Sequence, residues 1–179
     1  MRARVAKALL ARPAGLPAWA AMLEIHILSR ATAREFGVPA PRLSWLSRER
    51  ALREYADFTA RCARMGDTDL PRLRRSAFDL GARVRRLAGL KDQDSLQRLV
   101  FLLYRGLGIA MRGALPGTVT VDRCYFSAHY TPAVCAVMSR VDEGVIAGIM
   151  GDGALRFARR ITEGCDTCVA RYMPMDDNL

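Results

Sequence analysis

The spacing of apolar residues first changes at Pro116-Gly117. Before that point, apolar residues recur every three or four positions, which is typical of amphipathic helices. After it, residues 118–121 alternate between polar and apolar side chains, which predicts a strand with one solvated face. A run of helices followed by strands favours an α+β fold over a repeated βαβ arrangement.

Four helices are expected before the change of period, covering about residues 16–36, 44–65, 76–90 and 94–111. On the first, an apolar stripe through Trp19, Leu23 and Ile27 predicts the side that packs on the protein. Ser44 is the expected N-cap of the second helix, and Asp94 or Ser95 that of the fourth, because their side chains accept hydrogen bonds from free helix N–H groups.

The last third predicts one helix between strands. Thr131-Pro132 suits a helix start, and the helix should run to about Met150. Two strands follow, at about residues 155–161 and 168–173, joined as a hairpin. We therefore expect a single domain over residues 1–179. Its mainly helical part, 1–115, should pack on a small antiparallel sheet with one crossover helix, and segment 118–174 should carry most of the cysteines.

The net charge of +10 raises the question of nucleic acid. The charge is uneven, since residues 1–118 hold 22 basic and 10 acidic residues, whereas residues 119–179 hold 6 and 8. The basic residues form no patch interleaved with aromatic residues, so nucleic acid is not an expected partner. No apolar run is long enough to span a membrane. Near the N-terminus, Arg12 and Pro13 interrupt the apolar stretch that a signal peptide needs, which favours a cytoplasmic protein.

Five cysteines are present, at positions 62, 124, 135, 165 and 168. Without a secretory signal, thiol or metal chemistry is a better expectation than disulfides. Cys62 shares a helical stripe with Tyr55 and Phe58, which predicts a structural role. The other four belong to the last third, where a strand end, a helix start and a hairpin turn can meet at one edge of a sheet.

Three interpretations of these four cysteines stay open. They are small buried side chains, since free cysteine is often buried. They hold a metal ion or an iron–sulfur cluster, with Cys165-x-x-Cys168 at ligand spacing and Cys124 and Cys135 completing the set. Or they serve thiol catalysis, with His129 as a base and with the thiol pKa of Cys135 lowered by the helix start.

The helix after Thr131 carries two further features. Asp142 lies seven residues after Cys135 and so on the same helical side. There it is either a general acid/base or a solvated carboxylate beside Glu143. Gly144 and Gly148 are four residues apart, which predicts a close contact with a neighbouring element.

Several of these residues together resemble the L-2-amino-thiazoline-4-carboxylate hydrolase family, which is similar in turn to the 4-vinyl-reductase domains. The matching pieces are Cys124-Tyr125, Cys135, Asp142 and residues 159–168, and the resemblance covers about residues 95–173. In the family pattern the acidic residue follows the helix cysteine more closely than Asp142 does here. Cys165 is additional to the pattern.

The resemblance implies a hydrolase that opens a C–N bond in a small carboxylated, sulfur-containing or related heterocycle, in a biosynthetic pathway. Cys135 would be the nucleophile or a metal ligand, and His129 and Asp142 would transfer protons. Arg160 or Arg171 would bind the substrate carboxylate. The alternative is a sensor or ligand-binding module with a cysteine-ligated metal or iron–sulfur cluster. A homo-oligomer is compatible with both, and the partner in both is a small molecule.

A shared site predicts unequal effects of single cysteine substitutions. Cys135→Ala and Cys168→Ala should remove activity or bound metal, because a neighbour in the wrong geometry cannot replace a lost ligand. Cys165→Ala should keep a substantial fraction, because its turn is outside the family pattern. Metal content and turnover would be compared, with folding checked by circular dichroism. Equal loss in all three would favour a four-cysteine structural metal site, and no loss would mean packing alone.

Overall fold

The computed structural model describes residues 16–45, 47–66, 68–151 and 153–174. The N-terminal features discussed above, at Arg12 and Pro13, lie outside the described residues. None of the helices in these ranges has the length and apolar character needed to cross a membrane.

Five α-helices are present in the described part: α1 (Ala18–Glu35), α2 (Arg48–Ala63), α3 (Leu70–Ala88), α4 (Gln93–Gly106) and α5 (Pro132–Met150). All five were expected, but three begin elsewhere than predicted. Ser47, not Ser44, accepts the backbone N–H of Arg50 at the start of α2. Asp69 starts α3 earlier, and Asp92 caps α4 by accepting from Ser95.

Four strands form one antiparallel sheet: β1 (Ile109–Gly113), β2 (Gly117–Cys124), β3 (Ala154–Arg159) and β4 (Cys168–Met173), in the order β1-β2-β4-β3. This confirms the expected α+β fold with helices packed on a small antiparallel sheet. The strand β1 was missed, because the fourth helix was extended to about residue 111. Gly108 ends that helix early with a φ of 75°, a conformation that favours glycine.

Helix α5 connects β2 to β3, and β4 lies between these two strands. The strand β4 alternates as predicted: Cys168, Ala170 and Tyr172 are buried, whereas Arg171 is exposed. Cys62 is also buried in the main core, which agrees with the structural role expected for it. The sheet and α5 therefore bring Cys124 and Cys168, near the two ends of the cysteine-bearing segment, to the same hydrophobic core.

The predicted packing side of α1 is wrong. Trp19, Leu23 and Ile27 are 65%, 44% and 46% exposed. The buried residues of the helix are instead Ala21, Met22, Ile25, Ser29, Thr32 and Ala33. An apolar stripe on a helix with many apolar residues does not by itself identify the face that meets the core.

The glycines of α5 pack against α3, as their spacing predicted. A Cβ at Gly144 would meet the backbone of α3 at Arg74 and Phe78, and one at Gly148 would meet the carbonyl oxygen of Phe78 and the amide of Ala82. Gly81 makes the reciprocal approach to the backbone of α5. The two helix backbones touch directly because no side chain separates them.

We expect Gly148→Ala to lower the free energy of unfolding by about 2 kcal/mol or more, because the added methyl group meets backbone atoms that cannot rotate away. An unhindered glycine-to-alanine change in a helix would instead stabilise by up to about 1 kcal/mol. Urea unfolding would measure the difference. Ala136→Val on the exposed side of α5 is the control and should stay within about 0.5 kcal/mol. A neutral or stabilising Gly148→Ala would contradict the direct backbone contact.

Candidate functional site

A cavity of about 100 Å³ lies between the helices and the cysteine-bearing segment. Side chains of α1, α2, α4 and α5 line it, together with residues at the ends of β2 and β4. Most of the lining is apolar, including Leu28, Leu103 and Met138. The polar groups are few and include Glu24 and Asp142. An apolar cavity with a few convergent polar groups is the usual form of a small-molecule site.

Three of the predicted cysteines line this cavity. Cys124 ends β2, Cys135 lies in the first turn of α5, and Cys168 begins β4. The backbone N–H of Ile161 donates to the Cys168 sulfur at 3.3 Å. The fold therefore brings together the strand end, helix start and hairpin that the sequence placed far apart. Cys165 is part-buried but is not among the residues that line the cavity.

Burial keeps these thiols protonated. It raises the pKa of Cys124 to about 12 and also raises the pKa values of Cys135 and Cys168. The helix start was expected to lower the thiol pKa of Cys135, and that expectation is wrong, because desolvation is the larger effect. The charge of Arg160 opposes it only in part. The ready formation of a thiolate at neutral pH is therefore disfavoured.

Asp142 lines the cavity on the same side of α5 as Cys135. The residue is half-buried overall, and protein surrounds its carboxyl group. Burial raises the pKa of Asp142 to about 7; the hydrogen bond from Tyr104 opposes this shift, and the nearby charge of Glu143 adds to it. The Tyr104 hydroxyl donates to Asp142 Oδ1 at 2.9 Å. Asp142 is thus a cavity carboxyl able to give or take a proton near neutral pH, and not a solvated carboxylate.

Glu143, the neighbouring acid, has a different environment. Its Oε2 accepts from Arg140 Nη1 at 2.8 Å, and it does not line the cavity. The two adjacent carboxyl groups therefore differ in both partner and location. Only Asp142 can contact a molecule in the cavity.

A metal centre finds no support in the arrangement of side chains. Across residues 16–45, 47–66, 68–151 and 153–174, no group of three His, Cys, Asp or Glu side chains is placed to hold one ion. The metal or iron–sulfur cluster stays a prediction from the sequence, and we derive no chemistry through it.

Two of the predicted site residues lie away from the cavity. His129 stacks on Tyr125 with ring centroids 5.0 Å apart, and its Nδ1 is 3.8 Å from Asp57 Oδ1. Arg171 is exposed on the sheet face opposite Cys168. Neither lines the cavity, so neither is placed to transfer a proton or bind a carboxylate there.

Arg160 directly precedes Ile161 and Thr162, which line the cavity, but it does not line the cavity itself. Burial raises the thiol pKa values of Cys135 and Cys168, and the positive charge of Arg160 opposes this rise only in part. Its Nη1 pairs with Glu163 at 3.1 Å, but its Nε is buried and has no hydrogen-bond partner among the described residues. Of the two predicted carboxylate-binding arginines, Arg160 is the one beside the cavity.

Sequence reasoning missed Glu24 and Tyr104. Glu24 lies on the buried side of α1 between Ala21 and Leu28, and Tyr104 faces Asp142 from α4. An acid three or four residues from apolar neighbours on both sides was a signal for Glu24. No local pattern connects Tyr104 to Asp142, which is 38 residues later.

We expect Asp142→Asn to stabilise the protein at neutral and alkaline pH. The folded-state pKa of about 7 exceeds the ordinary value of 3.8, so the unfolded chain ionises first as pH rises. The wild type therefore loses stability between about pH 4 and pH 7, by up to about 4 kcal/mol, whereas Asn cannot ionise and still accepts from Tyr104. Urea unfolding across this range would measure it. A difference that does not change with pH would contradict a protonated native carboxyl group.

Comparison with models of protein families, with curated proteins and with solved structures found no match to this chain.

Proposed function

We propose that this protein is a small-molecule hydrolase that opens a C–N bond in a small carboxylated heterocycle, with Asp142 as the proton-transfer group. The observation that carries the proposal is a carboxyl group with a pKa of about 7, held by Tyr104 inside an apolar cavity. An acid/base group works best when its pKa is near the working pH.

Hydrolysis at an amidine-like carbon needs two proton transfers. As water adds to the carbon, ionised Asp142 accepts a proton from it. The protonated carboxyl group then donates this proton to the ring nitrogen as the C–N bond breaks. One water molecule is consumed, and Asp142 returns to its starting state. A single group at its own pKa can serve both steps because both of its forms are populated.

Water is a better nucleophile in this proposal than Cys135. Burial disfavours the thiolate that covalent attack by Cys135 would require. We therefore assign ligand contact, and not bond formation, to the cavity thiols. The low polarity that keeps the thiols protonated is also what raises the pKa of Asp142.

Arg160 is our candidate for the substrate carboxylate. Its unpartnered Nε lies near the cysteine end of the cavity, where an anion would satisfy a buried donor. Ile161 and Thr162, the next residues, line the cavity. A small shift of this segment would bring the guanidinium group to a bound carboxylate.

A ligand-binding or sensor module is the second candidate. Its support is that all three cavity thiols are held protonated and that His129 lies outside the cavity, so the reactive groups are few. In this case Asp142 and Tyr104 would recognise a ligand without transforming it. The two candidates differ only in whether the bound molecule is converted to a product.

The test is a panel of small nitrogen-heterocyclic carboxylates, followed by mass spectrometry for addition of one water. For a turned-over compound, Asp142→Asn should lower kcat about 100-fold or more, the usual contribution of a general acid/base. The wild-type kcat/KM should also change with an apparent pKa near 7 that the variant lacks.

Asp94→Asn is the matched control, because it makes the same change at an exposed carboxyl group of α4 outside the cavity and should leave kcat nearly unchanged. Full turnover by Asp142→Asn would refute the assignment of Asp142. Tight binding across the panel without any turnover would instead favour the binding module.

A further inference from the structure

Glu24 is a second carboxyl group at the cavity, at the end formed by α1 and the C-terminus of α4. The residue is half-buried overall, but its Oε2 is fully enclosed and has no hydrogen-bond partner among the described residues. It packs so closely on the last residue of α4 that a Cβ at Gly106 would lie 2.6 Å from Oε2. The absence of a side chain at Gly106 is therefore what makes room for this carboxyl group.

The positive charge of Arg48 opposes the rise in the pKa of Glu24. The hydrogen bonds of Arg48, however, go to backbone carbonyl groups and not to Glu24. Its Nε and Nη2 donate to the Gly106 carbonyl oxygen at 2.9 and 2.7 Å, and Nη2 also reaches the Arg105 carbonyl oxygen at 3.3 Å. These bonds satisfy the free carbonyl groups at the end of α4. Within the described ranges, no ion pair joins Arg48 to Glu24, so the Glu24 carboxyl group stays without a donor.

In the part of the chain that the structure describes, the carboxyl groups of the cavity lining have no basic side chain beside them in that lining. Glu24 and Asp142 both line the cavity, and among the residues that the structure describes, no Lys, Arg or His forms part of its wall. Burial raises the pKa of Glu24 well above its ordinary value, which shows how strongly the site resists an uncompensated negative charge. A bound cation would supply the missing compensation, since a buried carboxyl group is stabilised by a charge-assisted donor.

We propose that Glu24 is a ligand-binding residue that accepts a hydrogen bond from a protonated nitrogen of the cavity's ligand. The ligand class is a small, mainly apolar molecule with a basic amine or amidine nitrogen. Combined with the proposed function, on which this part rests, the cationic nitrogen of the substrate would lie at Glu24. Asp142 lines the same cavity as Glu24.

Binding of three compounds of one shape tests the charge preference without any substrate. Cyclopentylamine, cyclopentanol and cyclopentanecarboxylate place a cation, a neutral hydroxyl group and an anion on the same small ring. Calorimetry on the wild type should show the amine binding about tenfold or more tightly than the alcohol, because one charge-assisted hydrogen bond contributes roughly that much. The carboxylate should bind most weakly.

Glu24→Gln should remove the amine's advantage over the alcohol while leaving alcohol binding unchanged, because the amide keeps the shape without the charge. Glu35→Gln is the matched control on the same helix. Glu35 accepts from Ser76 and does not line this cavity, so the variant should keep the wild-type preference. Circular dichroism would check folding of both variants.

Equal binding of amine and alcohol by the wild type would refute the proposal, and so would an amine preference that survives Glu24→Gln. These outcomes leave the hydrolase proposal untouched, because Asp142→Asn tests that one by turnover. An amine preference that depends on Glu24, found in a protein that turns over nothing on the panel, would uphold Glu24 and overturn only the hydrolase.

Discussion

The direct contact between the backbones of α3 and α5 is the constraint on which the cavity depends. Gly144 and Gly148 allow it from α5, and Gly81 allows it from α3. Once one side of α5 is fixed in this way, its other residues have determined directions. Cys135 and Asp142 share the side that faces the cavity. Close packing thus sets where the candidate chemistry lies, although none of the glycines touches it.

Desolvation determines the chemistry of the cavity. The same apolar surroundings raise the pKa of Asp142 to about 7, raise that of Glu24, and keep the cavity thiols protonated. A carboxyl group gains acid/base ability near neutral pH from this environment, whereas a thiol loses nucleophilicity. The burial that weakens the case for thiol catalysis is therefore the burial that supports proton transfer by Asp142. Buried, unpaired polar groups are costly to a fold, and they often mark functional sites.

Local sequence signals predicted those helices and strands that begin at a recognisable residue pattern or show a regular alternation. Thr131-Pro132 gave the start of α5, and the alternation from Cys168 to Tyr172 gave β4 with its buried face. The strand β1 could not be separated from α4, because a short apolar run fits either a helix or a strand. The packing side of α1 was wrong for a related reason, since Trp19 and its stripe are as apolar as the face that is buried.

The sequence by itself determined the α+β order of elements, the close packing at Gly144 and Gly148, and the shared helical side of Cys135 and Asp142, because each follows from spacing along one segment. Only the tertiary structure decided that Glu24 belongs to the cavity and that His129 does not. It also decided which groups ionise. Burial depends on residues that are distant in the chain, so no local pattern contains the pKa of a side chain or the partner that a buried oxygen lacks.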